Sequence, residues 1–437
     1  MIDIFDKRER NLVIIGFVIS LFHWALCAAY FAILALYMVN QGIQGPLKTL
    51  LIVTVRCLLS TVVATPASGI VQMEKWAIIV GMSFLIISRS RYYEMPKGVR
   101  PFRITLTIFA VYAVFSSFLT SGYPTVSIFK VISYAVPFYA IAKGVAVTDN
   151  ECNWIHYMKQ VLTPIILACI LTIPFQGRFN IVNGTFQGIL NHPNLMGIFL
   201  SIFIGCFLFD HAENAHHDKI FLAILALCFY MLYATASRTG MLSAVISLVI
   251  YWYGLPSYKK KSAFGWILLG GTATALFMVI FPSNGIVDAM NSFLFKRHET
   301  RLSQLFDSRQ ILFEVTQYKH SQHPWIGSGF GVPYNWGAVD WALNMNMTYE
   351  TGNLYYTLLG DTGYIGFGLF IIYMVAILFN TEKKKLVLFS LPLIISMGEM
   401  AFFSTNNIAI LYYFFYGICL SGKTETQQEL IYQESES

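Results

Sequence analysis

Apolar runs of about 20 residues, almost free of charge, recur along nearly the whole of this chain, and that is the length a helix needs to cross a bilayer. Composition agrees: of 437 residues, 56% are hydrophobic and 12% charged, and the mean hydropathy is +0.59. The sequence predicts an all-α polytopic integral membrane protein of about 12 or 13 transmembrane helices with one large extracytoplasmic loop. A retained anchor is expected over residues 11–39, a stretch too long for a signal-peptide core. Further helices are expected near 49–70, 75–88, 102–121, 126–146, 159–176, 193–210, 219–236, 239–255, 263–282, 353–379, 386–402 and 407–421. The formal charge of +6 reads as topology and not as nucleic-acid affinity, because the basic residues cluster in short loops. Seven cysteines, six of them inside apolar runs, support neither a disulfide framework nor a zinc site.

The basic segments are Arg89 to Arg103, Lys259-Lys260-Lys261 and Lys383-Lys384-Lys385. Placing them in the cytoplasm puts residues 177–192, the turn at Ser237-Arg238, the segment 283–351 and the turn at 404–407 outside. One region resists: three helices in the first 100 residues would leave Lys7, Arg8 and Arg10 outside, against the rule. The chain divides into helices over 1–282, the loop over 283–351, helices over 352–421 and a cytoplasmic, acidic tail over 422–437.

The long polar loop is where chemistry outside the bilayer can be built. It carries Arg309, His298, His320 and His323, and three of the eight tryptophans, Trp325, Trp336 and Trp341. That mixture suits an anionic, sugar-bearing substrate, with Trp336 able to stack on a sugar face; an interfacial aromatic belt explains the tryptophans equally well. Arg309 lies in the helix-like stretch Glu299–His320, in phase with Leu302, Leu305, Phe306, Leu312 and Phe313. An ion pair with Asp307 or Glu314 is the plain alternative. Arg238, within Ala234-Thr235-Ala236-Ser237-Arg238-Thr239-Gly240, sits on the outer side, where arginine is disfavoured. A snorkelling helix-end arginine is one explanation, and a phosphate ligand among small hydrogen-bonding neighbours is the other.

His192-Pro193-Asn194 reads as a helix start, for which capping suffices; His192 and Asn194 are also candidates to touch substrate. Glu350 and Asn353 open the helix Leu354-Tyr355-Tyr356. Capping and dipole complementation explain Glu350, which is also the chemical type that activates a sugar hydroxyl. The glycines of Gly327-Ser328-Gly329-Phe330-Gly331 have neither dinucleotide-loop nor nucleophile-elbow spacing, and are expected to let the chain turn after His323-Pro324-Trp325. Arg56 is a further intramembrane cation left unassigned.

Together these segments resemble the bacterial O-antigen ligase and O-antigen polymerase superfamily. The matching pieces are Phe186…Asn191-His192-Pro193-Asn194-Leu195-Met196-Gly197, Ser237-Arg238-Thr239-Gly240, Ser308-Arg309, His323-Pro324-Trp325-Ile326-Gly327-Ser328-Gly329-Phe330-Gly331 and Gly352-Asn353-Leu354-Tyr355-Tyr356…Gly363-Tyr364-Ile365-Gly366. The resemblance implies a multi-pass glycosyltransferase of the bacterial inner membrane with its active site on the periplasmic side. Its arginines, here Arg238 and Arg309, would hold the pyrophosphate of an undecaprenyl-linked glycan, without metal or other cofactor. The ligases of the superfamily typically carry a histidine where this chain has Gly352, so the resemblance favours the polymerase branch. The expected catalytic residues are then Arg238, Arg309 and Glu350, and the substrate-binding ones His192, Asn194, His323, Asn353 and Trp336. The expected partners are undecaprenyl-pyrophosphate-linked glycans, the lipid bilayer and a chain-length regulator, with no nucleic acid. A ligase, or a flippase of lipid-linked sugars, is the alternative.

Overall fold

A computed structural model describes residues 7–65, 69–175, 180–182, 184–214, 218–254, 310–333 and 352–422. These form α1 (Lys7–Ile19), α2 (Trp24–Val39), α3 (Gln44–Cys57), α4 (Gly69–Arg89), α5 (Val99–Thr120), α6 (Pro124–Thr148), α7 (Trp154–Thr172), α8 (Pro193–Asn214), α9 (Asp218–Ala234), α10 (Arg238–Gly254), α11 (Gln310–Gln322), α12 (Leu354–Leu378), α13 (Leu386–Ile395) and α14 (Ala409–Leu420). Strand among the described residues is confined to a hairpin, β1 (Ile181–Val182) against β2 (Thr185–Phe186). By length and composition α4, α5, α6, α7, α8 and α12 can each cross a membrane, and α2, α9 and α14 contain shorter apolar helices. The expected helix at 263–282 lies outside the described residues.

The side chains are arranged for lipid. On α5, Phe102, Leu106, Phe109 and Ala113 recur at helical spacing and are buried, while Ile104, Ile108, Val111, Phe115 and Phe118 on the other face are exposed. A helix that is apolar all round has a core face and a lipid face, but no water face. The interior is aromatic: Tyr134, Phe138, Tyr373, Phe402 and Tyr413 pack edge-on or tilted where α6, α12 and α14 meet.

The first four helices alternate in direction, and this corrects the reading of the first 100 residues. The expected anchor over 11–39 is two helices, broken between Ile19 and Trp24, with the His23 side chain accepting from the Ala25 amide at the restart. Four helices therefore precede the basic loop, and Lys7 lies at the same end of the bundle as Arg89 to Arg103. Lys48, at the start of α3, confirms the register by pairing with Glu9 at 2.7 Å. The helix expected over 49–70 stops at Cys57, because the chain then pairs with the segment before α8: Ser60 N donates to Ile189 O (2.8 Å) and Asn191 N to Leu58 O (3.1 Å). The helix expected over 386–402 stops at Ile395.

Helix ends and breaks leave carbonyls unpaired, a costly state away from water. Cations from other helices cover them. Arg56 donates to Ser20 O (2.7 Å) and Ser20 Oγ (2.8 Å) at the break after α1. Arg89 reaches Val39 O and Gly42 O beyond α2, and Lys385 reaches Ile418 O (2.9 Å) and Ser421 O (2.8 Å) at the end of α14. Arg56, unassigned by the sequence, is thus a helix-end ligand.

Candidate functional site

At the end of the bundle opposite the basic loops, the N-termini of α8, α10 and α12 converge, and one connection ties them. That connection is the irregular segment between α13 and α14. Its Glu399 accepts a hydrogen bond from Asn194 Nδ2 (2.9 Å) at the start of α8. Asn353 Nδ2 donates to Met397 O (2.8 Å), and Leu354 N to Ser396 O (2.9 Å), fixing the start of α12. Gly398 lies so close to Thr239, on the first turn of α10, that a methyl group there would collide with it. Each of these helix starts carries partial positive charge, which favours an anion nearby.

Arg238 is the first residue of α10 and half-buried. It follows a tight turn. Ala236 adopts φ 50°, a left-handed conformation that side-chain-bearing residues rarely take and that costs roughly 1–3 kcal/mol. Ser237 then caps α10, its Oγ accepting from Gly240 N (3.2 Å). Its side chain fills the space left by Gly197 on α8, and Ser201 and Ser243 complete the seam (Ser243 Oγ to Ser201 Oγ, 2.9 Å). Small residues at Gly197 and Gly240 let α8 and α10 approach closely, so Arg238 sits beside the turn that carries Asn194.

His192 Nδ1 accepts from Asn194 N (3.1 Å) at the start of α8. The ring is exposed at its edge, yet its neighbours withdraw enough water to lower its pKa below the ordinary 6.5. Neutral imidazole is then a hydrogen-bond partner for a hydroxyl and not a countercharge for phosphate. Asn353 caps α12, its Oδ1 accepting from the Tyr355 and Tyr356 amides (3.0 and 3.1 Å).

The described part of the long loop is a plug in the bundle. α11 runs alongside α12, with Phe313 against Tyr356 (5.0 Å between ring centroids) and His320 Nδ1 at Leu359 O (3.0 Å). Lys319, fully buried, binds the Asp361 carboxylate and the carbonyls of Gly329 and Val332. The second Asp361 oxygen accepts from Gly331 N (2.6 Å). The glycine cluster turns here as expected, and Phe330 inserts between Phe109, Tyr134 and Phe403. Gly363 (φ 65°) and Gly327 meet backbone to backbone, where neither position has room for a methyl.

His323 is placed by this plug and not by the cluster around Arg238: its carbonyl accepts from Gly327 N (2.8 Å). Arg309, Trp336 and Glu350 lie outside the described residues. By sequence, Arg309 immediately precedes α11, whose first turns lie against Tyr356, three residues from Asn353. Glu399 was missed by sequence reading, which placed it inside a helix; the signal was Gly398 beside a carboxylate, six residues after Pro392. Among the described residues no three His, Cys, Asp or Glu side chains gather as a metal site requires. A cavity of about 220 Å³ lined by Asp149, Asn153, Glu382, Lys384 and Lys385 lies at the basic end, far from this cluster.

No curated protein matches the chain. A match to the family model described as O-antigen ligase begins within α9 and ends within α12, at residues 223–371, taking in Arg238, Arg309 and Asn353 but neither Asn194 nor Glu399. That match indicates a function of the O-antigen ligase or polymerase type, carried by a glycosyltransferase-like enzyme acting on lipid-linked glycans. Residues 223–371 thus carry an O-antigen ligase family domain, consistent with the wider ligase and polymerase superfamily.

Proposed function

We propose that this protein is a polysaccharide polymerase, transferring a growing glycan from undecaprenyl pyrophosphate to the terminal sugar hydroxyl of a lipid-linked repeat unit. The observation that carries the proposal is the convergence of three helix N-termini on Arg238, Asn194, Asn353 and Glu399. In the reaction, the bond between the anomeric carbon and the pyrophosphate oxygen breaks, and its electron pair leaves with the pyrophosphate. Arg238 and Arg309 neutralise that charge as it grows, which favours the transition state over the bound substrate. The acceptor hydroxyl gives its proton to a carboxylate, and its oxygen forms the new glycosidic bond with inversion. Glu350 is the candidate base. Glu399, the carboxylate at Asn194, holds the start of α8 in place.

The polymerase branch is supported by position 352. Gly352 has φ 67°, so a histidine in its place would adopt a backbone conformation that residues with a Cβ seldom take. The description of the matching family, O-antigen ligase, favours the second reading, a ligase.

Arg238→Ala and Arg309→Ala are each expected to abolish long-chain product while the protein still inserts. Normal-length polymer from either variant would overturn the phosphate clamp. Glu350→Gln should lower turnover by about 10²–10⁴-fold, as loss of a general base does, and Glu399→Gln, which keeps an acceptor for Asn194, by much less. A deletion strain separates the branches: a polymerase leaves single repeat units on the carrier, whereas a ligase leaves finished polymer there.

A further inference from the structure

Lys75 lies inside α4, in the half of the helix away from Arg89, and is 4% exposed. At 1.5 Å per residue it sits about 9 Å into the helix from Gly69. A cation inside a membrane span is costly and needs a partner. The partner here is a backbone carbonyl, Asn406 O, which accepts from Lys75 Nζ at 2.5 Å. Asn406 is part of the irregular connection between α13 and α14, and its own Oδ1 is buried without a partner.

Arg56, Arg89 and Lys385 also cover carbonyls, but those lie at the ends of α1, α2 and α14. The carbonyl under Lys75 belongs to the connection that fixes the candidate site. At one end of that connection, Ser396 O and Met397 O hold the start of α12, and Glu399 holds Asn194 at the start of α8. Further along, Tyr413 Oη donates to Phe402 O (3.1 Å) and lies 3.1 Å from Thr405 Oγ1. Tyr413 belongs to α14, which follows directly, so that clasp is local. Lys75 reaches in from α4, which packs against α2, α3 and α6. It therefore ties the connection to a frame separate from α8, α10 and α12.

We propose that Lys75 is a positioning residue for the transfer reaction. By gripping Asn406 O it fixes the connection that places Glu399, and through Glu399 the Asn194 side chain. It acts through the connection and not on the reacting atoms. The assignment rests on the polymerase reading given above.

The test compares full-length wild type, Lys75→Met and Lys75→Arg in nanodiscs by amide hydrogen exchange, thermal unfolding and extension of a lipid-linked repeat unit. Lys75→Met suits an apolar span and removes a buried charge, so its unfolding midpoint should not fall. Exchange should rise over residues 396–408 and at the start of α8, and kcat/KM should drop about tenfold, the scale of one charge-assisted hydrogen bond. Lys75→Arg, which keeps a charged donor, should recover both. Should Lys75→Met fold poorly, Lys75→Gln offers a neutral donor and an intermediate loss. Unchanged exchange over residues 396–408 would overturn the proposal whatever the activity. So would looser exchange at wild-type kcat/KM, which would leave Lys75 a cover for a carbonyl like Arg56. A wild type that extends no glycan would count against the polymerase reading alone, and the exchange result would still judge the link from Lys75 to the site.

Discussion

At the scale of single residues, the site is made of groups that also have ordinary structural work. Asn194 and Asn353 begin helices, Ser237 caps one, and His192 accepts from a backbone amide. Capping is compatible with the proposed phosphate binding because a helix start carries partial positive charge. His192 makes this measurable. Its folded-state pKa lies below the ordinary 6.5, so between those two values the unfolded chain binds more protons and stability rises with pH. The contribution is complete above about pH 6.5 and is lost as pH falls through the folded pKa, when protonation removes the Nδ1 acceptor. The exposed ring keeps the effect small. Unfolding midpoints between pH 5 and 8 should slope for the wild type and flatten for His192→Gln; equal slopes would show that another group titrates.

At the scale of elements, a buried ion pair ties the described part of the long loop to α12. Lys319 and Asp361 have side chains only 1% exposed, and between them they collect Gly329 O, Val332 O and Gly331 N. Lys319→Met would leave the carboxylate buried without its countercharge, at a cost of about 3–5 kcal/mol. Adding Asp361→Asn, which retains an acceptor for Gly331, should recover much of the loss in thermal stability. No recovery would mean that the lysine acts through packing alone. Part of the arrangement was legible in the sequence: helix starts near 193, 239 and 353, and the glycine turn after Trp325. Glu399 was not legible, because Leu386 to Phe403 is apolar enough to read as one helix and hydropathy does not see a helix stop. Nor was the break at Ser20, which contains neither proline nor glycine and depends on Arg56 from a helix 36 residues later in the chain.

Across the whole molecule, charges are sorted between the two ends. One end carries Lys7, Arg89 to Arg103, Asp149 and Lys383 to Lys385, and the other carries the candidate site. The added break in the first anchor is what makes the N-terminus consistent with this sorting. A reporter active only inside the cell should therefore give the same signal at Met1 as in the loop at residues 93–97, and the opposite signal in the turn at residues 121–123. A Met1 fusion that matched the 121–123 turn would refute the four-helix arrangement.

The contact between Arg56 and Ser20 has a further consequence, for how the protein is made. Without Ser20, the arginine in the last turn of α3 would lack the acceptors that its guanidinium now finds. The carbonyl that receives it belongs to a bend synthesised earlier. By the time α3 leaves the ribosome, α1 and α2 have already delivered that bend, and the nascent hairpin serves as a docking station for the third helix. A chain that begins translation beyond Ser20 would present α3 to the insertion machinery with its charge unanswered, and biogenesis is expected to stall at that helix before any of the part that carries the candidate site has been made.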